Sequence, residues 1–369
     1  MNYHPLHVAV VGSGMISDIY LKNMIERFPI LSVDAICSAH MENAEKKARK
    51  YGIIARTFED ILADSFIDMI VNLTPAPAHE EIIRRALHAG KHVYTEKTMT
   101  MNYRTARGLV ELAKERGLYL GSAPDTFMGA ALQTVRKAID DGLLGEINSF
   151  AIASNRNNSL MTSFYRFLNL PGGGVGYDYS VYYLTALVSI LGPVAQVAAS
   201  VRNPYPVHID VNPAYETYGK EISTPNESEI MGIIKMRSGA TGTIHFNNDS
   251  VTEDQSIFTI YGTKGMLWVP CPNFFGGEVR FKATSDNFDV DPEIEVLNYG
   301  FPYGENSRGI GPAEMAMAIR KGRPNRASAD MACHVLEVID AIMESGEKHV
   351  FVDIDSTCER PEALHLTMK

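Results

Sequence analysis

Cysteine is scarce: Cys37, Cys271, Cys333 and Cys358 are the only four in 369 residues. They lie too far apart for the paired spacings that hold a zinc ion. Neither a disulfide framework nor a structural zinc is expected, and reduced thiols point to a cytoplasmic protein. Basic charge is also short. Lys and Arg total 34 against 44 Asp and Glu, leaving a formal charge of -10, whereas a nucleic-acid binder usually shows a basic excess. The one dense basic run, Lys46 to Lys50, is balanced by Glu42 and Glu45 and reads as a solvated helix face. No stretch approaches the roughly 20 apolar residues that cross a bilayer, so no membrane partner is expected. Met1–Val11 lacks the basic segment and long apolar region of a signal peptide. Repeats, low-complexity tracts and flexible linkers are missing, as is any metal-ligand spacing such as His-Glu-x-x-His, so no metal is expected. What remains is 45% hydrophobic and 21% charged, an ordinary globular balance at a length that favours two domains.

Up to residue 122, short apolar runs alternate with helical patterns. His7–Val11, Ser32–Cys37, Ile67–Leu73, His92–Thr95 and Leu118–Ser122 have strand character. Between them, Ile19, Tyr20 and Met24 mark a helix from Ile16, and Met41–Tyr51 forms a charged one. Ile82, Ile83, Ala86 and Leu87 share one face of Glu80–Ala89, which Gly90 caps. Asn102–Arg116 turns Ala106, Leu109, Val110 and Ala113 inward before Gly117. The fold class is α/β: this alternation predicts a doubly wound parallel sheet, a Rossmann-type domain over residues 1–123.

Beyond Ala123-Pro124 the pattern changes. Helices are predicted over Phe127–Asp141, after Gly172-Gly173-Gly174, and over Ala329–Glu344. Strand runs such as Ile230–Met236 and Ala240–Phe246 follow one another through turns, which favours antiparallel pairing. Residues 124–369 are expected to form an α+β domain with a large open, mainly antiparallel sheet.

Val8-Ala9-Val10-Val11-Gly12-Ser13-Gly14 leads from strand into helix. Gly12 permits a tight turn and Gly14 lets the backbone approach a pyrophosphate. The amides at the helix start, around Met15 and Ile16, offer that anion partial positive charge. Ser17 stands in place of a third glycine. After the second strand, where a carboxylate would bind the adenosine ribose, the sequence reads Cys37-Ser38-Ala39-His40, and Asp34 lies earlier, within the strand. With no acid to repel a 2′-phosphate and no arginine to bind one, the cofactor is NAD or NADP, NAD being slightly preferred.

Farther on come Thr74-Pro75 with His79, then Ala89-Gly90-Lys91-His92-Val93-Tyr94-Thr95-Glu96-Lys97-Thr98, and Gly172-Gly173-Gly174-Val175-Gly176-Tyr177-Asp178-Tyr179-Ser180-Val181-Tyr182. Arg308-Gly309-Ile310-Gly311 and Arg326-Ala327-Ser328 follow. In these segments the chain resembles the Gfo/Idh/MocA oxidoreductase family over almost its whole length. The second segment is similar to the family's A-G-K-H-V-x-x-E-K-P signature, with Thr98 for proline. The third is similar to G-G-G-x-x-x-D-x-G-x-H, with Tyr182 for histidine. The resemblance implies hydride transfer between a nicotinamide and a secondary hydroxyl of a sugar, glycoside or polyol, with C3 of a glucose-type ring as the first guess. It also implies a second domain that covers the nicotinamide and mediates homo-oligomers, dimers or tetramers.

By matched position Lys97 corresponds to the family's active-site lysine and Asp178 to its substrate-binding aspartate, while Tyr182 stands where the catalytic histidine does. Lys97, Tyr165, Asp178 and Tyr182 are the candidate substrate contacts, with Arg156 and Asn157 ranked below them. Ser38, Thr74, Pro75, His79, Glu96 and Lys97 join Gly12, Gly14, Met15 and Ile16 as candidate cofactor contacts, His79 as a helix-start residue and not a catalyst. The chemistry agrees with these places. Oxidising a secondary alcohol needs a base for the hydroxyl proton, and Lys97 follows a strand at the sheet edge where such folds bind ligands. Partial burial there would lower its pKa toward the useful range. Tyrosine titrates at about 10, so proton transfer is assigned first to Lys97, with Tyr182 relaying or orienting. Each residue also has a plainer role: Lys97 as a surface partner of Glu96, Asp178 as a helix N-terminal aspartate, Tyr182 as packing. Without the proline's fixed φ, Thr98 leaves the lysine's backbone differently constrained. Two other functions stay open: an NAD-dependent glycosidase or epimerase working through a transient 3-keto sugar, and a non-catalytic cofactor-binding regulator.

Overall fold

Strands that are apolar on both faces require helices on both sides of their sheet, and the N-terminal half supplies them. The computed structural model describes residues 4–251 and 256–365. Its elements begin β1 (Leu6–Val11), α1 (Ile16–Glu26), β2 (Leu31–Cys37), α2 (Met41–Tyr51), β3 (Ile54–Ala55), α3 (Phe58–Ala63) and β4 (Met69–Asn72). Then follow α4 (His79–His88), β5 (His92–Thr95), α5 (Tyr103–Glu115) and β6 (Leu120–Ser122). The strands form a parallel sheet in the order β3-β2-β1-β4-β5-β6. Val8, Val10, Ile70, Val71 and Val93 are fully buried within it. The strand order reverses between β1 and β4, the point where a doubly wound sheet opens a crevice at its carboxyl ends. The Rossmann expectation holds. The short β3 and α3 carry too few residues to have shown a period.

The chain continues with α6 (Ala130–Asp140), β7 (Ile147–Asn155), α7 (Asn158–Phe164), and a π-helical turn Gly176–Ser180 running into α8 (Val181–Leu191). Next come β8 (Val194–Arg202), β9 (Val207–Ile209), β10 (Glu221–Ser223), β11 (Glu229–Met236), β12 (Thr241–Asn247), β13 (Ile257–Gly262), β14 (Gly265–Trp268), β15 (Val279–Ala283) and β16 (Ile294–Leu297). After them are α9 (Ile310–Lys321), α10 (Ala329–Lys348) and β17 (Val352–Asp353). Nine strands join in the order β16-β15-β14-β13-β7-β12-β11-β8-β17. All neighbours are antiparallel except β7 and β12. Alternation along β11 and β12 buries Ile230, Ile234, Ile244 and Phe246 and leaves Met231 and Ile233 exposed.

The division between the units differs from a single break near residue 123. One unit comprises the chain through Asp125 together with Asn306–Cys333; the other comprises Thr126–Glu305 and His334 onward. The return segment is bonded into the first unit at several points. Asp125 Oδ2 accepts from the amides of Gly311 (3.0 Å) and Gly309 (3.3 Å). Burial pushes that carboxyl up to about 6, although Arg308 and the two amides favour its charge. A Cβ on Gly311 would overlap the Tyr94 hydroxyl. Glu314, 1% exposed, accepts from Arg326 at both its amide (2.8 Å) and its guanidinium (2.7 Å), and Ser122 donates its amide to the Ala327 carbonyl (3.2 Å). Arg308–Gly311 and Arg326–Ser328, seen in the sequence as motifs, are the two docking points of this segment.

In the second unit His334 is fully buried on α10. Its Nε2 accepts from the Val194 amide (2.9 Å), so Nδ1 carries the hydrogen and donates to Ser356 Oγ (2.8 Å). Burial, with Arg237 nearby, lowers its pKa from 6.5 to about 4. The unfolded chain therefore takes up a proton below pH ~6.5 that the folded chain refuses until about pH 4. This contribution is present above the unfolded value and is lost as pH falls, by about 3 kcal/mol at about 1.4 kcal/mol per unit. Denaturant titrations from pH 7 down to 4.5 should show wild type losing about 2–3 kcal/mol more than His334→Gln. Parallel losses would remove His334 as the cause.

Candidate active site

The glycine turn has two glycines with different jobs. Gly12 has φ +110°, and a Cβ on it would lie 2.7 Å from the Leu73 carbonyl group. The turn's conformation and its closeness to the loop after β4 both require glycine there. Gly14 is the opposite case: an added Cβ would meet nothing within 4 Å. Behind it α1 begins with no side-chain cap, and Met15 is 75% exposed. Ser17 fills the third-glycine place because its hydroxyl folds back onto the Gly14 carbonyl (2.6 Å). Ser13 and Ser38 share a hydroxyl hydrogen bond of 2.8 Å at the tip of β2. Asp34 is turned away, bonded to His7 Nδ1 (2.9 Å) and to Ser32. An uncapped helix start, an open approach at Gly14 and hydroxyls at the β2 tip fit a dinucleotide.

Lys97 sits half-buried beyond β5, on a loop fixed from three sides. Asn72, closing β4, donates to Thr95 Oγ1 (3.0 Å) and accepts from Thr74 Oγ1 (2.8 Å), while its carbonyl accepts the Glu96 amide (2.8 Å). The Glu96 carboxylate accepts from the Tyr20 hydroxyl on α1 (2.7 Å) and from the Lys97 amide (3.1 Å). Glu96 therefore ties the lysine's backbone to the helix that follows the glycine turn. The Lys97–Thr98 peptide is cis. His79, fully buried at the start of α4, has Nδ1 2.7 Å from the Thr98 carbonyl and Nε2 2.7 Å from that of Thr74. It joins the loop after β4, with Pro75, to the loop carrying Lys97. A neutral ring donates to one of these carbonyls, and burial favours that neutral form.

In the second unit, space demands glycine at one place in the third motif: a Cβ on Gly173 would overlap the Leu168 carbonyl, whereas one on Gly174 would displace the Glu227 carboxylate. The π-helical turn that follows is a form often found at functional sites. It carries Asp178, whose Oδ2 accepts from Arg156 Nη1 (3.2 Å), the two side chains being 10% and 11% exposed. The Arg156 guanidinium lies 4.1 Å from the Tyr179 ring centre, so the arginine ranked low from sequence is the aspartate's partner. Tyr182 is half-buried, its ring 6.2 Å from that of Tyr179. Tyr177 donates to Asp340 (2.9 Å), and Tyr183 shares a hydrogen bond with Ser256 (2.7 Å). Burial raises the pKa of Tyr177 and Tyr179, and that of Tyr183 to about 12, so these phenols keep their protons. Asn157 caps α7 through the Leu160 amide (3.1 Å), a local structural role. Tyr165, 40% exposed, ends α7 edge-on to Phe167. Glu227 lies in no motif, and Tyr20, which the sequence marks only as a helix-face residue, is the partner of Glu96. Among the described residues no group of three or more His, Cys, Asp or Glu could hold a metal ion.

Residues 6–123 match the family model for GFO/IDH/MocA oxidoreductases with an NAD-binding Rossmann fold, and residues 132–268 match that family's C-terminal domain. The chain belongs to the GFO/IDH/MocA oxidoreductase family. It is 31% identical over 201 residues to dTDP-3,4-didehydro-2,6-dideoxy-alpha-D-glucose 3-reductase of Actinomadura kijaniata, covering 54% of this chain and 60% of that one. It is 25% identical to inositol 2-dehydrogenase of Rhizobium meliloti, over 91% of this chain and 95% of that one. The chain spans only 55% of the length of its Schizosaccharomyces pombe relatives. It shares the fold of levoglucosan dehydrogenase in complex with NADH (TM-score 0.83, 21% identity, 96% of this chain and 100% of that one).

Proposed function

We propose that the chain is a nicotinamide-dependent dehydrogenase for a secondary hydroxyl of a sugar, glycoside or polyol. The observation that carries this reading is Lys97: its backbone is held by Glu96, Tyr20 and the loops joined by His79, at the carboxyl edge of the sheet whose β1 feeds an uncapped glycine turn. Gly12, Gly14, Met15, Ile16 and Ser38 are the residues that would hold the dinucleotide, which supplies the hydride acceptor when bound. Lys97 takes the hydroxyl proton, Asp178 binds substrate hydroxyls, and Tyr182 donates to the reacting oxygen. The relatives named for an inositol and for position 3 of a sugar support this substrate class, with C3 of a glucose-type ring as the first hydroxyl to test.

The Ser38-Ala39-His40 tip, having no arginine for a 2′-phosphate, favours NAD slightly. The exposed Met231 and Ile233 on the nine-stranded sheet support a homo-oligomer built through that face. Four cysteines without a disulfide fit the cytoplasm. Among the described residues no helix is long and apolar enough to cross a membrane.

Inositols, levoglucosan and glucosides, each offered with NAD and with NADP, test the reading through nicotinamide absorbance. Reduction with at least one polyol, faster with NAD, is expected. Substrate converted with no net absorbance change would replace it with a redox-neutral epimerase or glycosidase. Cofactor binding with no conversion of any compound would replace it with a regulator.

A further inference from the structure

The head of the π-helical turn is already satisfied by one residue from elsewhere in the chain. Glu227 Oε1 accepts the Gly176 amide (3.0 Å), and its main-chain carbonyl accepts the Val175 amide (3.0 Å). Its carboxylate fills the volume that Gly174 leaves by having no Cβ. Burial raises the pKa of this acid, and the Gly176 and Tyr177 amides offset part of that rise. Glu227 is itself held on both sides: Asn226 donates to the carbonyls of Leu168 (2.8 Å) and Leu170 (2.7 Å), and the Ser228 amide donates to the Arg202 carbonyl (3.0 Å). Asp178 follows Gly176 by two residues, and Tyr182 by six. Free amides at the start of a helical segment would draw an anion; here a carboxylate of the chain occupies the place.

We propose that Glu227 is a positioning residue of the substrate half-site: its carboxylate closes the amide end of the Gly176–Ser180 turn and so sets where Asp178 and Tyr182 stand. Because the seat is filled from within, the Gly176 amide is closed to an outside anion as long as Glu227 stays in place. The KM readout below rests on the dehydrogenase reading; the positioning role does not.

Two variants and a small anion test it. In Glu227→Ala the seat is empty, and amides of Gly176–Tyr182 should exchange hydrogen faster than in wild type, by roughly tenfold or more for loss of one charge-assisted bond. Glu227→Gln keeps an acceptor oxygen and should restore most of the protection. Formate, small enough to enter the vacated seat, should slow exchange in Glu227→Ala and leave wild type unchanged. With the polyol found active, KM of Glu227→Ala should rise by roughly tenfold, the NADH dissociation constant should stay within about twofold, and formate should reverse the KM change. Wild-type exchange in Glu227→Ala, or a defect that formate leaves untouched and that weakens cofactor and polyol alike, would overturn the proposal. If wild type converts no polyol, the dehydrogenase reading fails, and the exchange data still decide the role of Glu227.

Discussion

A Lys97→Met chain is expected to bind NADH within about threefold of wild type and to turn over about 10²–10⁴ times more slowly, the usual worth of a positioned acid–base group. Methionine keeps an unbranched side chain of similar length and removes only the amine. The loop should survive the change, because its anchors lie elsewhere: the Lys97 amide on Glu96, Glu96 on Tyr20, and the Thr98 carbonyl on His79. Cofactor affinity by calorimetry and turnover by nicotinamide absorbance should therefore separate cleanly. Near-normal turnover would remove Lys97 from the chemistry. Weakened cofactor binding would recast it as a dinucleotide ligand.

The two glycines of the turn should fail in different ways. Gly14→Ala is expected to leave the melting temperature within about 2 °C, since the new methyl meets nothing within 4 Å, and to weaken NADH by at least about tenfold. That loss is the methyl's intrusion on the approach of a pyrophosphate. Gly12→Ala should instead destabilise the fold itself by about 2 kcal/mol or more, because its φ of +110° and the Leu73 carbonyl group 2.7 Å away both oppose a side chain. Thermal unfolding and calorimetry of the pair distinguish the roles. A Gly14→Ala chain that binds NADH like wild type would place the pyrophosphate elsewhere.

The Rossmann half could be read from the sequence because its signals are local: Val8–Val11 is a buried strand, Gly12 a turn, the Asn102–Arg116 face packs as written, and of the Glu80–Ala89 face Ile83, Ala86 and Leu87 are buried while Ile82 is half-buried. Glu96, Lys97, Asp178 and Tyr182 can be proposed from the sequence because they lie within contiguous motifs. What was missed depends on partners far apart in the chain. Arg156 meets Asp178 across 22 residues, Glu227 meets Gly176 across 51, and Tyr20 meets Glu96 across 76. A lone acid in a loop has no period and no neighbour to mark it. The parallel pairing of β7 with β12 and the return of residues 306–333 were hidden for the same reason: both are set by tertiary contact, which leaves no trace in local spacing.

That return segment also bears on how the protein is made. A chain leaving the ribosome presents residues through Asp125 long before Asn306–Cys333 are synthesised. Until those residues arrive, the Asp125 carboxylate lacks the Gly309 and Gly311 amides, and Gly121 lacks its bridge to Ser328. The Rossmann unit is thus finished only after Thr126–Glu305 of the other unit have been made. A fragment cut after Asp125 would lack part of its own core.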